Sequence, residues 1–295
     1  MSGQVIEIGS GGKLFALLHP YVLDGRESSH PIDVRGWSTS NSYLLVEDDR
    51  AMLLGTGYSA HQQALLGQLD RLVGDRPLSL VIARAEFAVM CNARPIADRF
   101  HVDMAYMRIP SPPVVFLNFR PEFAEGETDG LRDVPFELVE RGDELPVDLA
   151  GTRRFKVLAP ELRLMPNNWG YDEETRTLFS SDIFTWVWRA TAAGPWLIDD
   201  NTDAADDPTT AERVAHCLER NRYWWLPGAD IDPIRRSVAE LFDTYEIETI
   251  APDHGCLLQG EAIQRHYQLL DDYLAGAEAL PSQGVAAATW SAVSA

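Results

Sequence analysis

The sequence predicts an α/β fold in which two β-sheets pack face to face with helices on their outer sides. Three observations predict it: short apolar runs closed by turn residues, stretches of helical spacing between them, and a restart of the same rhythm after a Pro-rich interval at 108–135. With 295 residues, 45% of them apolar, the chain can bury a large core. The two halves, about 1–135 and 136–279, are expected to form a single domain, with 280–295 as a weakly ordered tail.

The first half reads strand, strand, helix, strand. Lys13 to Leu18 is an apolar run. Ser42 to Val46 and Ala51 to Leu54 flank the acidic turn Glu47-Asp48-Asp49-Arg50 and so form a hairpin. Leu65, Leu66, Leu69 and Leu72 recur at helical spacing between Ser59 and Val73, and Leu80-Val81-Ile82 is a short buried strand. A second helix is expected over 93–104, then an irregular excursion carrying Pro110, Pro112, Pro113, Pro121 and Pro135. In the second half, Phe136 to Val139, Arg154 to Leu158 and Thr177 to Ser180 are strand-like, the last two separated by the turn-rich Asn167 to Gly170. Ile231 to Tyr245 is an amphipathic helix with Pro233 in its first turn, and Ile247 to Ile250 is a strand leading into Asp253-His254-Gly255. The acidic, small-residue run Asp199 to Thr210 reads as a mobile loop.

Composition excludes several function classes. A formal charge of -20 repels polyanions, and no basic stripe offsets it, so nucleic acid is not an expected partner. No run of eighteen apolar residues and no secretion-signal layout occurs, which predicts a cytoplasmic protein without a membrane partner. Cys91, Cys217 and Cys256 are scattered and make neither a disulfide framework nor a metal knuckle. The histidines His19, His30, His61, His101, His216 and His266 show no ligand grouping.

Three stretches resemble the metallo-β-lactamase fold superfamily, in particular its oxygen-binding di-iron and flavodiiron branch, over about residues 40 to 275. "NSYLLVEDDRAMLLGTGYS" resembles the opening hairpin, "TRTLFSSDIF" the strand that delivers a metal-bridging Asp, and "IETIAPDHGCLLQG" the strand that delivers the last metal-binding His. The resemblance implies a four-layer αβ/βα sandwich of two mixed β-sheets flanked by helices. The family's di-metal signature is His-x-Glu-x-Asp-His, followed by a distant His, the bridging Asp and a final His. Here the first cluster reads Arg84-Ala85-Glu86-Phe87-Ala88-Val89, so only Glu86 matches. Asp182 and His254 match the bridging Asp and the last His. Arg163 or Leu164 stands where the distant His belongs, and Gly55 replaces the Asp of the hairpin.

A carboxylate within an apolar run needs a partner. Arg84 and Arg163 are therefore expected to neutralise Asp182 and Glu86 in the place of metal, with no cofactor; a single Fe, Mn or Zn on Glu86, Asp182 and His254 is the alternative. Asp182 and His254 are the candidate catalytic pair. Trp186, Trp188, Trp224 and Trp225 are candidate pocket or interface aromatics. The leading functional expectation is a non-catalytic or supporting subunit of a heteromeric hydrolase acting on an aromatic ester or ether, partnered by a metal-competent paralogue or by copies of itself. The alternatives are an active hydrolase using one metal or a His/Asp pair, and a protein that binds or senses a small aromatic molecule.

Overall fold

Alternation along the strands decides the layers. In the computed structural model, which describes residues 3–84, 86–113, 117, 130–163, 167–203 and 205–277, Leu17, Leu44, Leu53 and Leu80 face one side of the first sheet, while Leu18, Tyr43, Leu45, Met52 and Val81 face the other. Each face is apolar because each is covered.

The first sheet has the order β1 (Gln4–Glu7), β2 (Leu14–Leu23), β3 (Gly36–Val46), β4 (Ala51–Leu54), β5 (Leu78–Ile82), β6 (Val102–Met107) and β7 (Phe136–Leu138). Its first four strands are antiparallel and its last four parallel, so the sheet is mixed. The second sheet runs β12 (Leu197–Ile198), β14 (Leu257–Gln259), β13 (Thr249–Pro252), β11 (Thr177–Ser181), β10 (Trp169–Asp172), β9 (Arg154–Leu158) and β8 (Glu144–Pro146), again mixed.

Helices α1 (Gln62–Leu72), α2 (Phe87–Met90) and α3 (Ala93–Ala97) belong to the first half, and α1 and α3 bury Leu65, Leu69, Ala93 and Ile96 on the outer face of the first sheet. Helices α4 (Ala211–Glu219), α5 (Ile231–Thr244) and α6 (Glu261–Ala277) pack Val214, Ile234, Val238, Leu270 and Leu274 into the core that continues between the sheets. The result is the expected α/β sandwich of two mixed sheets between helices.

Several elements differ from the sequence reading. The expected helix over 93–104 ends at Ala97, and Val102 to Met107 instead pairs in parallel with β5 and with β7, so that tertiary pairing on both edges decides its conformation. Asn167 to Gly170 was expected to be a turn, but Trp169 to Asp172 is a buried strand; Gly170 suits it because the Phe155 ring comes so close to its backbone that a Cβ would meet ring carbon at 2.0 Å. The strand expected at Ile247 to Ile250 is shifted to Thr249–Pro252. The run Asp199 to Thr210 is held rather than loose: Asp200 accepts the Glu261 backbone N–H at 2.7 Å, and Asp207 lies 2.9 Å from His266 Nε2. The greater part of the Pro-rich interval and the tail 280–295 lie outside the described residues. No helix among the described residues is long and apolar enough to cross a membrane.

Candidate functional site

Three strands of the two sheets end at one point. Beyond β5 comes Arg84, with Glu86 at the N-terminus of α2; beyond β11 comes Asp182; beyond β13 come Asp253 and His254. The turn after β11 is tight, with Ser181 at φ 54° and Phe184 at φ 67°, a backbone region that L-residues seldom occupy and that here directs Asp182 inward. An isolated bridge between Ser40 and His254, and the Asn41 N–H bonded to Asp253 O at 2.9 Å, fasten the first sheet to the last of these loops.

Arg84 is 2% exposed and sits at the centre. One guanidinium nitrogen, Nη1, is ion-paired with Asp182 and donates to Ser181 Oγ at 3.3 Å. The other, Nη2, lies 3.3 Å from Asp253, 3.5 Å from Glu86 and 3.4 Å from His254 Nε2. A second guanidinium, Arg222, closes the cluster from the segment after α4. Its Nη1 donates to both Glu86 oxygens at 2.8 and 2.7 Å and to Asp182 Oδ2 at 3.0 Å, while its Nε and Nη2 hold Ser28 O and Ser28 Oγ. Arg222 thus ties the loop 24–30 to the centre.

Protonation follows from this geometry. Burial pushes the Asp182 carboxyl up, but Arg84 and Arg222 outweigh it and hold it below the usual range. Asp253 has one guanidinium instead of two, and burial together with nearby Asp182 leaves its carboxyl raised. Burial and the Arg84 charge lower His254 to about 3. It is therefore neutral at pH 7: Nε2 accepts from Arg84, and Nδ1 carries the proton and donates to Tyr21 Oη at 3.2 Å.

Above this floor opens a cleft of about 1290 Å³. Tyr21, Tyr58, Phe87 and Trp225 contribute aromatic surface to it, and Glu27 and Arg222 its polar groups. Tyr58 Oη donates to Glu27 Oε1 at 2.6 Å, and Tyr21 and Tyr58 meet edge to face with centroids 5.8 Å apart.

Of the residues singled out in the sequence, Arg84, Glu86, Asp182 and His254 lie together here. Arg163 does not join them: its Nη1 donates to the Pro160 carbonyl at 2.5 Å, at the cleft rim, and the second cation on Asp182 is Arg222. Leu164 lies outside the described residues. Trp186 is buried away from the cleft, its Nε1 donating to His266 Nδ1 at 3.0 Å. Trp188 lies under the Arg213 guanidinium at 3.4 Å, Trp224 is 54% exposed, and Trp225 lines the cleft. Arg222, Glu27 and Tyr21 carry no motif in the sequence, and Tyr58 lies in the hairpin stretch without being marked there as a site residue. Asp253 had one, since it directly precedes His254 in "PDHG".

The fold is that of several solved flavodiiron structures. The flavodiiron protein from Giardia intestinalis is 18% identical, with a TM-score of 0.60 over 88% of this chain and 58% of that one. A fragment of a diflavin flavoprotein from Nostoc is 15% identical, with 0.64 over 94% and 98%. The rubredoxin oxygen:oxidoreductase of Desulfovibrio gigas is 15% identical, with 0.63 over 92% and 62%. The chain thus spans about three-fifths of the length of the first two flavodiiron chains it matches. No protein-family model and no curated protein sequence matches it. The chain therefore has the metallo-β-lactamase-like fold in the form seen in flavodiiron proteins.

These structures correct the expectation of no cofactor, and equally the alternative of a single Fe, Mn or Zn: several proteins that share this fold are by name flavodiiron proteins. The residues of this chain do not fit the di-iron group. Two irons need several O and N donors free to converge, whereas Glu86, Asp182, Asp253 and His254 all face guanidinium nitrogens. Among the described residues no group of three or more His, Cys, Asp or Glu is placed to hold a metal ion. Nor does the glycine-rich run at 9–12 fit a flavin phosphate, since it is the turn joining β1 to β2 and opens no helix.

Proposed function

We propose that this chain is a binding protein in which an arginine-locked centre forms the floor of a cleft that takes a small organic molecule with an apolar or aromatic body. The observation that carries this reading is the buried Arg84. Its pairing with Asp182, Asp253 and Glu86, completed by Arg222, engages the acids that this fold would otherwise direct at substrate chemistry. What stays accessible is the cleft, large enough for a drug-sized ligand and walled by Tyr58, Phe87 and Trp225. The Desulfovibrio gigas neighbour is by name an oxygen:oxidoreductase, and no step through its di-iron group is derived for this chain.

The reading is tested with small arenes of different charge, followed by tryptophan fluorescence, since Trp225 stands at the wall. Saturable binding that is lost in Ala60→Trp, which fills the cleft from its rim, is expected. Absence of saturable binding by every arene, or binding untouched by Ala60→Trp, would overturn it.

A supporting role beside a metal-competent chain of a heteromeric hydrolase is the second reading, favoured by apolar side chains exposed at the cleft mouth or beside it, Val22 at 45%, Phe87 at 64% and Trp224 at 54%. Co-purification from the native host should then yield a second chain of this fold with an intact ligand cluster. Recovery of this chain alone counts against that role and leaves the binding reading in place.

A further inference from the structure

We infer that the cleft selects ligands carrying a cationic nitrogen, and that the Glu27 carboxylate receives it. The inference rests on the reading of the cleft as a small-molecule site and adds the chemical class of its ligand: an amine or amidine with an apolar or aromatic body.

Three acids, Asp24, Glu27 and Glu86, and three arginines, Arg26, Arg163 and Arg222, line the cleft, but they are not all paired with one another. Asp24 is paired with Arg26, and Glu86 is held by both of its oxygens on Arg222. Arg163 donates to the carbonyl of Pro160 and lies 3.4 Å from Glu161. Glu27 has no lysine or arginine within ion-pair distance among the described residues; its nearest basic group is His30 Nδ1, at 3.7 Å. Neutral donors hold it instead. Oε2 accepts from the Ser29 backbone N–H at 2.7 Å, from Ser29 Oγ, and from Tyr21 Oη at 3.4 Å, while among the described residues the one donor on Oε1 is Tyr58 Oη at 2.6 Å. A carboxylate has about four acceptor positions, so Oε1 keeps one for a donor in the cleft.

The neighbours of this oxygen suit a cation. Its side chain is 15% exposed, which shields it from water while leaving it open to the cleft. Partial desolvation strengthens attraction to a ligand charge. Burial pushes the Glu27 carboxyl up, but nearby His30 and His254 together with the hydrogen bonds from Ser29 and Tyr58 outweigh burial and hold it below the usual range, so it is ionised at neutral pH. The rings of Tyr21 and Tyr58, both in the lining, stand beside it and add aromatic surface next to the carboxylate. Trp225 and Phe87 provide surface for the rest of the molecule. The formal charge of -20 draws cations towards the chain and repels anions.

Isothermal titration of the full chain with three probes of nearly the same shape, phenethylamine, phenethyl alcohol and phenylacetate, at pH 7.5 and low salt tests this. The amine is expected to bind at least tenfold more tightly than the alcohol, with phenylacetate weakest. Glu27→Gln should bring the amine down to the level of the alcohol without changing the alcohol. Equal or tighter binding of the alcohol or of phenylacetate overturns the cation preference while leaving the small-molecule reading intact; so does an amine preference that survives Glu27→Gln, as regards Glu27. If none of the three binds, nor any arene of the wider set, the reading of the cleft itself falls. Should Glu27→Gln fail to fold, because an amide cannot accept on both sides as the carboxylate does, the ranking of the three probes on the wild-type chain decides.

Discussion

Replacing Arg84 by Met would surround an apolar stub with Asp182, Asp253 and Glu86, of which Arg222 can still reach two. Breaking one side of a buried ionic cluster costs on the order of 3–5 kcal/mol, and urea denaturation should show a loss of that size. The two central aspartates are not equivalent. Asp182 is held ionised by two guanidiniums and Asp253 is shifted towards its protonated form, so Asp182→Asn should destabilise clearly more than Asp253→Asn; equal losses would contradict the assignment. Histidine sets the pH response. Burial lowers His254 to about 3 and His19 to about 4, both from 6.5. Below pH 6.5 the unfolded chain takes up protons that the folded chain refuses, so stability is complete above 6.5 and falls as pH falls towards 4 and 3. Each group contributes up to about 1.4 kcal/mol per pH unit in that window. Between pH 7 and pH 5 the loss should be roughly 2 kcal/mol per histidine, and His254→Gln should remove its share of the slope. At this scale the chain was partly legible. Arg84, Glu86, Asp182 and His254 are legible because each follows a strand in a stretch that resembles, or is aligned with, a known family's metal-binding pattern, whereas Arg222 and Glu27 sit in irregular segments, where no periodicity says which way a side chain points.

The elements that build the site are strands ending in sharp turns, and glycine makes two of these closures. Gly36, at φ 129°, begins β3 where the chain crosses Arg189, and a Cβ there would meet the Arg189 carbonyl oxygen at 2.4 Å. The bonds from Trp37 N–H to Arg189 O and from Arg189 N–H to Trp37 O, at 2.7 and 2.8 Å, depend on that approach. Gly36→Ala should therefore cost about 1–3 kcal/mol through backbone strain and overpacking, read as a lower urea midpoint; an unchanged midpoint would show that the loop yields freely. Gly255, at φ 78°, makes the corresponding close approach behind His254, 2.9 Å from a would-be Cβ to Val187 O. Helices were easier to read than strand limits. Helix α5 buries Ile231, Ile234 and Val238 at the spacing seen in the sequence, because a helix keeps its pattern whatever it packs against. Strands β1, β8, β12 and β14 have two to four residues each, too few for alternation to stand out, and exist because a neighbouring strand offers an edge.

Across the whole molecule, the two sheets are clamped beside their shared core by Arg153. This guanidinium is 8% exposed and pairs with Glu47 in the β3–β4 turn of the first sheet and with the buried Asp172 on β10 of the second, while also donating to Lys13 O. Arg153→Met should cost on the order of 3–5 kcal/mol and leave the cleft's ligand binding unchanged in the fraction that stays folded, as titration below the unfolding midpoint would show; loss of binding without loss of stability would contradict the separation of clamp and cleft. The sequence by itself determined the α/β class and the two sheets with helices outside, because apolar periodicity and turn residues act over a few positions and survive without knowledge of the partner, while the resemblance of three stretches to a known family supplied the mixed sheets and the four residues of the centre. Only the tertiary structure decided that Arg222 and not Arg163 completes the centre, that Trp186 packs in the core while Trp225 faces the cleft, and that Glu27 stands beside Tyr21 and Tyr58. Those facts depend on which distant segments meet. Such meetings follow from the packing of the whole core, to which no single stretch of sequence holds the key.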